Sequence, residues 1–155
     1  MVLPILLGFV LGTLCMAMHA VGTAWWIQRQ RRRFNSFHAS AGTSTLLRVV
    51  GLTLAVLTAL HVAQILVWAI AYRWIPGVLA LVDLEEALYF SLITFTTVGY
   101  GDVVIEQNWR LMAGIEALNG ILLMGWSTAV LLAIAQRFWR DAVDSGENSD
   151  EGKKG

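Results

Sequence analysis

Three stretches of this chain are apolar and long enough to cross a bilayer, and a fourth is apolar but too short. A crossing helix needs about 20 apolar residues. Leu3–Ile27, Leu46–Tyr72 and Leu111–Ala135 each reach that length. Leu84–Phe95 offers roughly 12 residues, or about 18 Å of helix, and cannot cross. With 57% hydrophobic and 14% charged residues, the chain lacks the polar surface of a water-soluble domain. The expected fold class is an all-α membrane protein with three transmembrane helices and one re-entrant helix.

The short piece has its own start signal. Asp83 is suited to the N-cap, and Glu86 three positions on completes a capping-box pattern. Upstream, Pro76-Gly77 breaks the chain after the second span. Downstream, the apolar run passes directly into Thr96-Thr97-Val98-Gly99-Tyr100-Gly101-Asp102. Non-helical backbone at membrane depth survives only when buried in protein or lining water, so this segment is expected to form a re-entrant loop. Trp25-Trp26, Trp68, Tyr72, Trp74, Trp109 and Phe138-Trp139 stand near span ends, where an aromatic belt would lie.

Charge sets the topology. Residues 28–48 hold Arg29, Arg31, Arg32, Arg33 and Arg48 with no acid, whereas 83–106 hold five acids and no base. Positive loops stay cytoplasmic, which puts the N-terminus and residues 74–83 outside and the C-terminus inside. The arginines follow the first apolar stretch rather than precede it, the reverse of a secretory signal, so a retained helix is expected. They cluster at the end of a span and not at every third position within it, which argues against a voltage sensor. Attraction to anionic lipid headgroups is a further role open to Arg29, Arg31, Arg32 and Arg33. The expected parts are therefore an N-terminal helix (1–27), a basic cytoplasmic loop (28–45), a membrane core (46–137) and a disordered polar tail (138–155).

The glycine-bearing run carries the chemistry. A monovalent cation leaves its hydration shell only if other oxygens replace the water. Successive backbone carbonyls can do so when they point one way, which demands dihedrals that a β-carbon disfavours; Gly99 and Gly101 enter them cheaply. Thr97, Val98, Gly99 and Tyr100 would supply carbonyls, with the Thr97 hydroxyl as a further oxygen. Asp102 would set a negative charge at the outer mouth, within an acidic patch that enriches cations.

Residues 46–137 resemble the two-helix pore module of bacterial potassium channels, and Thr-Thr-Val-Gly-Tyr-Gly-Asp is the specific part of that likeness. The resemblance implies a homotetramer around a central pore. It also implies that Thr97, Val98, Gly99 and Tyr100 bind K+, with Thr96, Gly101 and Asp102 completing the filter and Tyr89 supporting it from behind. The Tyr100 ring would pack sideways. Ile93 stands where some relatives carry a glutamate that pairs with the filter aspartate, so that pair is absent here. The additional N-terminal helix lies outside the likeness. Potassium is then a permeating ligand rather than a cofactor, no nucleic acid is involved, and a bacterial inner membrane is the expected location. No nucleophile, base or metal constellation supports an enzyme. A weakly selective cation channel and a non-conducting sensor or scaffold remain alternatives.

Several polar residues lie inside the spans. Glu116 would support the filter, act in gating, or pack helices near the outer interface. His61 and Gln64 share a face of the second span, and His19 lies deep in the first. A neutral histidine hydrogen-bonded between helices is preferred to a proton sensor for each. Asn119, Ser127 and Thr128 either face a cavity or bond between helices. Gly114, Gly120 and Gly125 interrupt the last span; Gly120 or Gly125 would serve as a gate hinge or as a close-packing point. Gly8 and Gly12 form a G-x-x-x-G that suits close helix packing, and Cys15 reads as a small lipid- or helix-facing residue.

Overall fold

The computed structural model describes residues 2–34, 43–75 and 83–151. Pro76-Gly77, residues 35–42 of the connection expected at 28–45 and the last four residues lie outside the described residues. Among those described, the elements are α1 (Val2–Phe34), α2 (Thr43–Trp74), α3 (Leu84–Phe95), a 3-10 turn (Gln107–Trp109) and α4 (Arg110–Glu151). Three helices are long and apolar enough to cross a membrane, over Val2–Arg32, Leu47–Trp74 and Gln107–Arg137. No strand occurs among the described residues.

Two boundaries differ from the sequence expectation, for the same physical reason. α1 runs past Ile27 to Phe34, so Arg29, Arg31, Arg32 and Arg33 stand on a helix and not in a loop. α4 continues to Glu151, through most of the tail expected to be disordered. Once a helix is nucleated, each added residue gains a hydrogen bond at small cost, and no proline interrupts either extension. Apolar composition marks where the membrane ends; it does not mark where the helix ends.

Contacts fix the directions. Along α1, Gly8 faces Ile115 and Gly12 faces Asn119 of α4, so these two helices run parallel. Asn119 Nδ2 donates to the Gly12 carbonyl at 3.1 Å. α2 runs antiparallel to both: Gln64 meets Cys15, Gly22 meets Leu60, and Trp26 Nε1 donates to Thr53 Oγ1 at 2.9 Å. The N-terminus of α1 therefore lies at the end that holds α3, and its arginines lie at the opposite end.

α3 wedges between α2 and α4. Trp68, Tyr72, Ala87, Phe90, Phe95 and Met112 form the core around it, with Cys15 from α1. Tyr72 meets Phe90 edge-on, with ring centroids 5.2 Å apart. Several aromatics expected in a belt are instead core: Trp26, Trp68, Tyr72 and Trp109 are buried, whereas Trp25, Trp74 and Trp139 are exposed. A large ring fills the space between helices as readily as it marks an interface.

Candidate functional site

The site begins at the end of α3. Thr96 caps the helix, its backbone N–H reaching the Leu92 carbonyl and its hydroxyl donating to the same oxygen. The chain then folds back on the helix it has left. Thr97 N donates to the Thr94 carbonyl at 2.9 Å, and Gly99 N donates to the Ile93 carbonyl at 3.1 Å. Residues 97, 99 and 101 all have positive φ, at +61°, +54° and +80°. The two glycines take this conformation without penalty. Thr97 is the one non-glycine residue with positive φ among those described. A β-branched residue there is a genuine outlier, and such strain costs about 1–3 kcal/mol. Sequence reasoning assigned the left-handed backbone to the glycines alone and missed the third position. Regular strands send alternate carbonyls to opposite sides; interposing left-handed residues is a way to turn them toward one side.

Two anchors hold the far end of this loop. Tyr89 of α3 donates its hydroxyl to Asp102 Oδ2 at 2.6 Å, and Val103 N donates to Asp102 Oδ1 at 3.0 Å. The Tyr89 bond holds the Asp102 carboxyl below its usual range and raises the Tyr89 phenol. Beyond it, Ile105 and Trp109 are buried and return the chain to α4. Val98 and Tyr100 are exposed, Tyr100 by 75%, so most of its ring is left uncovered by its own chain. Asp83 occupies the N-cap position of α3 with extended backbone but without a side-chain cap bond, so the expected capping box is not formed through Asp83.

Behind the loop, Glu116 is fully buried and joins three helices. Tyr72 of α2 donates to its Oε2 at 2.7 Å, and Ser91 of α3 donates to its Oε1 at 2.5 Å. Ser91 also lies 3.0 Å from the Ile65 carbonyl. Neither Tyr72 nor Ser91 stood out in the sequence as a partner, although hydroxyls inside apolar helices are the available signal. Gly120 follows one turn on. A β-carbon there would overlap the Phe95 carbonyl oxygen, whereas one on Gly125 would meet nothing within 4 Å. α4 is helical through both, so Gly120 acts here as a point of close approach to the end of α3.

Deeper, a closed ring of four side chains links α1, α2 and α4. His61 Nδ1 is 3.2 Å from Gln64 Oε1, and Gln64 Nε2 is 3.1 Å from His19 Nδ1. His19 Nε2 is 3.2 Å from Ser127 Oγ, which is 3.0 Å from His61 Nε2. Gln64 Nε2 also donates to the Cys15 carbonyl at 3.2 Å, which fixes the amide orientation. With both imidazoles neutral, every link then has one donor and one acceptor: His19 gives to Ser127, Ser127 to His61, His61 to Gln64, and Gln64 to His19. The His61 ring also meets Phe95 edge-on at 5.9 Å, which brings the ring to the base of the loop. Asn119 and Ser127 thus bond between helices, while Thr128 donates to Met124 of its own helix.

The structure therefore gathers Tyr89, Thr96–Asp102, Glu116, Gly120 and His61 around the C-terminal end of α3. It leaves Gly125 and Arg29, Arg31, Arg32 and Arg33 away from it. No curated protein and no solved structure matches the chain. Residues 56–137, which take in most of α2, all of α3, the loop and the crossing part of α4, match the family described as ion channel. That match covers more than half of the chain: this protein belongs to the ion-channel family, which is not a class of enzymes.

Proposed function

We propose that the protein is a potassium-selective channel in which four copies surround one pore and conduct K+ passively. One observation carries this reading: positive φ at Thr97, Gly99 and Gly101, alternating through the Thr-Val-Gly-Tyr-Gly run. The carbonyls of Thr97, Val98, Gly99 and Tyr100, with the Thr97 hydroxyl, would replace the ion's water. A single chain offers one strand of oxygens and cannot close a ring; four chains can. Val98, Tyr100 and the α4 residues Leu111, Leu118 and Leu132 are exposed apolar groups that neighbouring subunits would cover.

In this reading Tyr89 and Asp102 hold the outer end of the filter, Thr96 and Gly101 complete it, and Glu116 braces its helix. Gly120 and Gly125 remain the positions at which α4 could bend to gate the pore. The arginine end faces the cytoplasm and the filter opens outward, in a bacterial inner membrane. No bound cofactor is needed.

The test is K+ flux from liposomes containing the purified protein, with Gly99→Ala as the comparison. Alanine at φ +54° is strained even though space surrounds it. Flux in the parent and its loss in the variant is the expected result. Equal leakage through both overturns the proposal.

A further inference from the structure

The bundle parts at its arginine end. Between α1 and α4 lies a cavity of about 540 Å³, with Val49 of α2 on one wall. Its body is apolar, formed by Trp26, Trp126, Val130 and Ala133. At one end stand Gln30, Arg31 and Arg137. The volume lies within the range of roughly 300–1,000 Å³ typical of small-molecule sites, as does the pattern of an apolar body with a few convergent polar groups.

Two features select the occupant. The polar end offers the guanidiniums of Arg31 and Arg137. Guanidinium forks match phosphate oxygens in pairs. Finally, the α4 lining from Trp126 to Arg137 rises about 16 Å at 1.5 Å per residue. That is roughly half of a 30 Å hydrocarbon core, the depth of one leaflet.

We propose that this cavity binds one anionic phospholipid per subunit. The phosphate sits between Arg31 and Arg137, and an acyl chain runs along Val130 and Ala133 to Trp126. This differs from diffuse attraction of the arginines to a charged surface: Arg29 and Arg32 line a separate depression with Trp25 and Gln28. The buried tail would end beside Trp126, whose ring lies edge-on to His19 at 6.2 Å. A bound lipid would therefore brace α1 against α4 at the polar ring. The inference does not depend on which cation passes; the proposed orientation supplies only the name of the leaflet, the cytoplasmic one.

The full-length protein, stripped of lipid in detergent, is titrated with phosphatidylglycerol and the bound lipid counted by native mass spectrometry. One phosphatidylglycerol per chain is expected, at least tenfold tighter than phosphatidylcholine. Arg31→Gln with Arg137→Gln should weaken it at least tenfold, and Arg29→Gln with Arg32→Gln should leave it unchanged. Ala133→Trp, which fills the cavity and keeps both charges, should also abolish tight binding; it stands as the test if the double arginine variant does not fold. Four results would overturn the proposal: binding that survives Ala133→Trp, equal loss in the Arg29/Arg32 variant, competition by glycerol phosphate as strong as by the lipid, or chain-to-chain crosslinking through Ala133→Cys, which would mean that a second copy fills the cavity.

Discussion

Tyr89 donates its hydroxyl to Asp102 across 2.6 Å and so ties the middle of α3 to the end of the glycine-bearing loop. The bond lowers the Asp102 pKa and raises that of Tyr89. Asp102 therefore contributes stability above the ordinary carboxylate value of about 3.9 and loses it as pH falls through its depressed value. Tyr89 contributes below the ordinary phenol value of about 10 and loses it as pH rises through its raised one. The pair is intact across the whole interval between.

Tyr89→Phe should thus move the acid limb of the flux–pH profile upward, toward the range of an ordinary aspartate, and should remove the alkaline limb that Tyr89 sets. Flux measured between pH 3 and pH 11 in both proteins checks this. An unchanged acid limb would separate Asp102 from Tyr89.

Gly120 and Gly125 should differ sharply on substitution. Alanine at Gly120 collides with the backbone at Phe95, which cannot move aside as a flexible side chain would. Overpacking of this kind costs about 1–3 kcal/mol or more. Gly120→Ala should lower the thermal midpoint of the protein in detergent, and Gly125→Ala should leave it nearly unchanged. Similar midpoints for the two would remove the close contact from the account.

Glu116 receives hydroxyls from Tyr72 and Ser91 and is fully buried. Glu116→Leu strands the Tyr72 hydroxyl, at about 1–3 kcal/mol, whereas Ser91 keeps the Ile65 carbonyl as an acceptor. Adding Tyr72→Phe removes the stranded group and should recover most of the loss, because replacing both partners by apolar groups can be close to neutral. Chemical unfolding of the single and double variants decides it; a double variant weaker than Glu116→Leu would contradict the network.

The four-membered ring of His19, Gln64, His61 and Ser127 should behave as one unit. Removing either member leaves its two ring neighbours each one bond short, and His61 and Ser127 share a link, so His61→Phe and Ser127→Ala together should cost less than the sum of the two alone. Coupling between residues in contact is about 0.5–3 kcal/mol, and a double-mutant cycle on the thermal midpoint measures it. Additive losses would mean that the links act independently.

The spans, the short helix and the loop were all legible because each rests on a local signal: apolar length, or glycine where a β-carbon is disfavoured. The helical continuation of α1 through its arginines was not legible from apolar length, since Arg and Gln are good helix formers that end a membrane segment without ending its helix; that of α4 to Glu151 runs through Asp, Ser, Gly and Asn, whose low propensity gives no sign of it. The left-handed Thr97 was hidden because a threonine gives no sign that its surroundings force the conformation. His61 and Gln64 could be placed on one face from their spacing. Their closure through His19 and Ser127 depends on how three helices meet, which spacing within one helix does not contain.

The central claim is that the loop at Thr97–Tyr100 passes potassium in preference to sodium. The most direct measurement is the reversal potential of the protein in a planar bilayer with K+ on one side and Na+ on the other. The account predicts a large potential of the sign set by potassium, carried by currents that vanish in Gly99→Ala. A reversal near zero, with sodium carrying current as well as potassium, would contradict it.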